Sequence, residues 1–186
     1  MPPSLLHRDE VLDRLLVTFR RDGYDGASLS ALSDVTGLGR SSLYHHFPGG
    51  KADMAEQVLA HLSARLEVAL LVPMRAAAPA EARIDAMIAT IAAFYDDGRL
   101  ACLLERLCAS VDRARFQRPL AGVFEGWLSA LAQVLVDAGI EAAEARARAE
   151  DTVARVEGAL VLAAGMGDPA IFGRALARIR HDVLEP

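Results

Sequence analysis

The sequence holds two cysteines, Cys102 and Cys108, too few for a disulfide scaffold or a four-ligand zinc site. On one helix they would stand about 9 Å apart along its axis and point in different directions, so they could not bridge without unfolding it. Two readings stay open for them: buried thiols acting as small hydrophobes, or a redox or electrophile sensor. No unbroken apolar run approaches the roughly 20 residues of a bilayer span. The opening "MPPSLLHRDE" reaches charge at His7 to Glu10 before an apolar leader core can form. A cytoplasmic protein with no membrane partner, no metal and no cofactor is expected. Strand-like alternation, internal repeats and low-complexity tails are also missing.

What is present points to helix. Hydrophobic residues make up 53% and charged residues 24% of the 186, as in ordinary globular chains, and the abundance of alanine and leucine favours helix throughout. Apolar residues recur at helical spacing in nine segments. The first runs from near Ser4 to Asp22, carries Val11, Leu15 and Phe19, and is stopped by Gly23. Ser28 to Val35 and Arg40 to His46 follow as short helices, with Gly37 suited to a left-handed turn and Gly39 at the second N-cap. The fourth begins at Lys51 and ends at Pro73, and the fifth carries Ile84, Met87, Ile91 and Phe94. The sixth is expected over Arg99 to about Asp112 with both sides covered, and the seventh from Leu120 to Leu135, before Gly139. The last two span about Glu141 to Ala164 and Asp168 or Pro169 to Val183. The fold class is therefore all-α, with a helix-turn-helix domain in 1–50 and a larger bundle in 51–186.

The chain has a net charge of -5, yet no carboxylate lies between Asp34 and Asp53, where Arg40, His45, His46 and Lys51 supply every charge or potential charge. Two short helices joined by a tight glycine-containing turn have the layout of a helix-turn-helix, whose second helix enters the major groove. A surface cleared of acids at that place is suited to face phosphates. Arg146 and Arg148, among Glu144 and Glu150, read instead as a solvated face with i,i+4 ion pairs.

The run "SLSALSDVTGLGRSSLYHHFPGGK" closely resembles the DNA-binding signature of the TetR family of bacterial repressors. There, a hydroxyl-capped helix, a small-Gly-hydrophobic turn and an "LYxHF" ending precede a lysine that opens the fourth helix. The resemblance covers about residues 8 to 60. It implies that Ser28 holds a helix N-terminus against phosphate, and that Arg40, Ser41 and Ser42 face base edges. It further implies that Tyr44 and His45 contact the DNA backbone and that Lys51 reaches a phosphate, while Leu43 and Phe47 are core. Gly39 departs from the Ser or Thr common in the family, which puts one hydroxyl contact in doubt. The partners so implied are a double-stranded DNA operator, a small-molecule effector and a second copy of the chain, a homodimer.

One reading head covers only a half-site, so a dimer reading two half-sites about 34 to 36 Å apart is expected. Its contact is expected on the last two helices, through Ala154, Gly158, Leu160, Ile171, Leu176 and Ile179; the competing reading is that these residues complete the core of one chain. An effector pocket between bundle helices would draw on Met87, Phe94, Cys102, Leu103, Arg106, Phe124 and Trp127, with His61 from the fourth helix. A charge as isolated as Arg106 should be exposed, paired with Glu105 or Glu157, or matched to an anionic ligand. Two other classes compete with this ligand-responsive repressor. A helical ligand-binding or interaction module would lack DNA binding. An enzyme with a cysteine nucleophile would need a nearby base, and neither cysteine has a histidine on its own expected helix.

Overall fold

A computed structural model describes residues 7–185, all of whose regular elements are helical. The described residues form two compact units, one made of residues up to 64 with 103–119, the other of 65–102 with 120 onward. This division differs from a boundary at 50, because a segment distant in sequence packs with the N-terminal helices and linear punctuation cannot show that.

In the first unit, α1 (Arg8–Gly26) buries Val11, Leu12, Leu15, Leu16 and Phe19 and packs on α2 (Leu29–Thr36) and α7 (Leu103–Cys108). The expected start near Ser4 lies outside the described residues. Gly23, at φ +71 and ψ 173, breaks the helix as expected, but helical backbone resumes and carries on to Gly26. α3 (Arg40–His46) anchors through Leu43, and α4 (Gly50–Leu66) buries Met54, Ala55, Val58, Leu59 and Leu62. Each Leu-sized side chain so buried contributes about 2 kcal/mol.

The sixth expected helix is shorter than its apolar run suggested. Asp96, Asp97 and Gly98 take positive φ values of 47°, 50° and 89°, and Leu100 N–H turns back to the Tyr95 carbonyl at 3.0 Å. A Cβ on Gly98 would stand 2.6 Å from Cβ of Phe172, so the tight turn is fixed by packing and helix resumes only at Leu103. Nor is α7 covered on both sides: Leu103, Leu104 and Leu107 are buried, whereas Cys108 is exposed. Cys102, just ahead of α7, is buried.

The second unit opens with a π-helical turn, Glu67–Leu71, then α5 (Val72–Met74), so helical backbone continues past Pro73. Proline lacks the N–H that would bond the carbonyl four residues back; the Thr90 hydroxyl donates to that Ala69 carbonyl at 3.3 Å instead. α6 (Ala80–Phe94) buries Ile84, Met87 and Ile91. Part of α8 (Arg113–Asp137) adds Leu120, Trp127, Leu131, Val134 and Leu135. α9 (Ala142–Met166) and α10 (Ala170–Asp182) pack on each other, and Asp168 caps α10 by accepting from Ala170 N–H at 3.0 Å. By length and hydropathy alone Gly50–Met74 and Arg113–Asp137 could cross a membrane; the test of unbroken apolar runs missed both. In the fold both line protein cores through the side chains just named.

Candidate functional site

The turn between α2 and α3 is held by side chains that the sequence places there. Ser28 Oγ accepts from Ala31 N–H at 3.1 Å and caps α2. At the other end Gly37 takes φ +68, a left-handed step that costs glycine little. Thr36 Oγ1 donates to the Leu32 carbonyl at 2.7 Å and accepts from Leu38 N–H at 3.3 Å, while Ser33 Oγ donates to the Leu38 carbonyl at 2.6 Å. The direction in which α3 leaves the turn is thus fixed at both ends of a three-residue link.

α3 then divides into two faces. Leu43 and the capping residue Phe47 are buried against the unit's core. Arg40, Ser41, Ser42, Tyr44, His45 and His46 are all exposed. Gly39 offers no side-chain cap, so the first N–H groups of α3 remain available to an anion. Asp53, the acid that ends the carboxylate-free run, is occupied: it accepts from Gly49 N–H at 3.2 Å and from Gln57 at 2.7 Å. A solvent-facing helix side bearing a guanidinium, two hydroxyls, a phenol and two imidazoles can donate to base edges and phosphate oxygens together.

Lys51 is less free than expected. Its ammonium donates to the Asp25 carbonyl at 3.4 Å and lies 4.7 Å from the centre of the Tyr24 ring. Sequence reading passed over Tyr24, although an aromatic set between Gly23 and Gly26 at a helix break was a signal that could have found it.

The effector candidates are split between the units. His61, Leu103 and Arg106 belong to the first; Met87, Phe94, Cys102, Phe124 and Trp127 belong to the second. His61 bonds Asp13 of α1 at 3.0 Å and is mostly buried, which gives it a structural role in α1–α4 packing. Arg106 pairs with Glu105 at 3.7 Å. Leu103 and Met87 are core; Phe94 stacks edge-on against Tyr95 at 5.0 Å, and Phe124 is half-buried. The Cys102 thiol sits 3.2 Å from the Tyr95 hydroxyl and 3.5 Å from Glu157. The Trp127 indole N–H is buried with no acceptor among the described residues, a state that proteins rarely leave uncompensated.

The residues expected at a contact between copies also separate. Leu160, Leu176 and Ile179 are buried between α9 and α10 within one chain, so the core reading holds for them and they are unavailable to a partner. Ile171 is half-buried, while Ala154 and Gly158 face out. The sequence reading missed Val161, Leu162 and Met166, which extend the same stripe and are 55%, 58% and 72% exposed; their helical spacing after Gly158, at the third, fourth and eighth residues, was visible. Arg146 and Arg148 form the expected i,i+4 pairs with Glu150 and Glu144 at 2.8 and 2.7 Å.

Comparison with known proteins gives the context for this geometry. Residues 79–177 match the family described as transcriptional regulator LmrA/YxaF-like, C-terminal domain, and residues 11–58 match bacterial regulatory proteins, tetR family. A search of curated proteins gave no match. Among solved structures, a TetR transcriptional regulator from Legionella pneumophila superposes with a TM-score of 0.84 at 20% identity, covering 96% of this chain and 98% of that one. A regulator of the same family from Agrobacterium tumefaciens gives 0.80 at 23% identity, with 93% and 95% covered. The regulator CifR, solved with a 26-base-pair double-strand operator DNA, gives 0.65 at 21% identity, with 98% and 94% covered. With family matches over both its N-terminal helices and most of its second half, and with a helix-turn-helix whose outward face is free of acids, the chain belongs to the TetR family of bacterial transcriptional regulators.

Proposed function

We propose that this DNA-binding regulator is a repressor that a small apolar or amphipathic effector releases from its operator. The helix-turn-helix domain in 1–50, with Lys51 just after it, reads DNA, and the remainder of 51–186 binds the effector and a second copy. The observation that carries the reading is the outward face of α3: six exposed polar side chains on a seven-residue helix anchored by the buried Leu43, with no carboxylate from 35 to 52. Arg40, at the first turn of α3, reads a guanine edge, worth about 1 to 3 kcal/mol of discrimination if bidentate. Ser41 and Ser42 meet neighbouring base edges, and Tyr44, His45 and Lys51 grip the backbone. Ser28 holds the α2 N-terminus at a phosphate.

The effector enters the second unit, where the orphan indole N–H of Trp127 favours a ligand with a hydrogen-bond acceptor set among apolar groups. Such a ligand acts by preferring a conformer with α4 tilted, in which two paired heads miss the operator spacing. A coupling of about 1 to 3 kcal/mol weakens DNA binding about 5- to 150-fold. Titrating the purified protein against the DNA upstream of its own reading frame at several salt concentrations tests the core of this. Specific binding with a steep negative salt slope that collapses in Arg40→Ala/Lys51→Ala is expected; salt-insensitive or absent binding would return the chain to the class of ligand-binding modules.

A further inference from the structure

We infer that Tyr24 is a positioning residue for Lys51, and that the segment 111–116, nearly ninety residues away, holds Tyr24 in place. The inference rests on reading Lys51 as a phosphate contact. Lys51 is the single lysine among 20 basic side chains, and a lysine on its own is a flexible point charge whose stem must be ordered before it can bind. Here it is already ordered. Its ammonium lies over the Tyr24 ring at 4.7 Å, within the range of a cation–π contact, and donates to the Asp25 carbonyl at 3.4 Å. It makes no ion pair among the described residues. Of its three donors the carbonyl takes one and the ring face another, which leaves one for a phosphate oxygen.

The ring is held in turn. The break at Gly23, φ +71, turns the chain so that Tyr24 is buried. Phe116 meets its edge at 5.2 Å, and its hydroxyl donates to Asp112 at 3.4 Å. The neighbouring Asp25 carboxylate accepts from Val111 N–H at 3.0 Å. Arg115 pairs with Glu56 of α4 at 2.9 Å and lies 3.9 Å from Asp112. Asp25, Asp112 and Glu56 are thus each engaged by another donor, and none of them is ion-paired with Lys51. One contact chain runs from the start of α8 through Tyr24 to the lysine that opens α4.

Reductive methylation with 13C-formaldehyde places methyl groups only on Lys51 and the chain's N-terminal amine. In the wild-type protein the Lys51 methyl resonance is expected upfield of a free dimethyl-lysine, since the Tyr24 ring lies beneath it. Tyr24→Phe should keep that shift and Tyr24→Met should abolish it. Operator affinity should fall about 2- to 5-fold per reading head in Tyr24→Met, the fold-change of an exposed cation–π contact, with Tyr24→Phe close to wild type. In a Lys51→Met background, Tyr24→Met should weaken binding no further. An unshifted wild-type resonance, or equal loss from Tyr24→Met with and without Lys51, would overturn the inference, the second because the ring would then act through the fold alone. If Lys51→Met leaves operator affinity unchanged, the phosphate reading of Lys51 fails, and the resonance still reports separately on the stack.

Discussion

Two exposed helix faces in this protein have opposite chemistry. The outward side of α3 carries Arg40, Ser41, Ser42, Tyr44, His45 and His46; the outward side of α9 carries Ala154, Gly158, Val161, Leu162 and Met166. Both are backed by the same kind of buried stripe, Leu43 and Phe47 behind one, Val156, Leu160 and Ala163 behind the other. The difference lies in what each face would lose by staying wet. Donors on α3 are well solvated and gain from a polyanion by displacing its counterions. Apolar groups on α9 gain only by leaving water, at about 25 cal/mol per Å², and small residues at Ala154 and Gly158 let another helix come close. On the proposed reading the first face meets DNA and the second meets another copy of this chain.

The largest effect is therefore expected from placing a charge on the second face. Leu162→Glu puts a charge in the middle of the apolar stripe, where two copies would bury it twice with no partner. The variant should run as a monomer in analytical ultracentrifugation, keep its helical circular dichroism, and bind operator about 10²- to 10⁴-fold more weakly because two linked heads have become one. A dimer that survives Leu162→Glu would remove α9 from the contact.

Breaking the first face should cost less and act differently. Arg40→Ala is expected to lose about 1 to 3 kcal/mol at one base position in each half-site, measured by competition with operators substituted position by position. A loss spread evenly over all sequences would mean that Arg40 touches only phosphate.

These two faces were not equally legible. On α3 each side chain's exposure followed from its place in a seven-residue helix, because nothing but Leu43 and Phe47 had to be inside. On α9 and α10 the chain packs two amphipathic helices against each other, so an apolar residue such as Leu176 has two places to go, and periodicity cannot choose between its own core and a partner. For the same reason the α7 boundary was misjudged: an apolar run from Leu100 onward looks helical until Phe172, far off in sequence, occupies the space beside Gly98. Tyr24 was missed because its partners at 51 and 111–116 meet only in the fold.

A smaller and more local change tests whether the α2–α3 turn sets the aim of the reading face. An alanine at Gly37 meets open space, so its only cost is the left-handed backbone at φ +68, about 1 to 2 kcal/mol. Gly37→Ala should lower the thermal midpoint of the protein and weaken operator binding, while Gly158→Ala on α9, which also meets open space within the chain but has helical backbone, should leave the fold's stability unharmed.

The smallest effect concerns acids, which the α3 face lacks and the α8–α9 surface has. Glu125 receives two hydrogen bonds from Arg146, at 2.7 and 2.9 Å, and one from the Ser129 hydroxyl at 2.7 Å. Arg146 first and Ser129 second hold its carboxyl down at about 2, against an ordinary 4.5. A folded value below the unfolded one means that the pair stabilises the fold above pH 4.5 and that this support is lost as pH falls from 4.5 through about 2. Because Glu125 is 59% exposed, salt screens the pair and its contribution is slight. Glu125→Gln should thus lower the melting temperature a little at pH 7 and low salt, with the gap to wild type narrowing in high salt and closing as acid protonates the wild-type carboxyl.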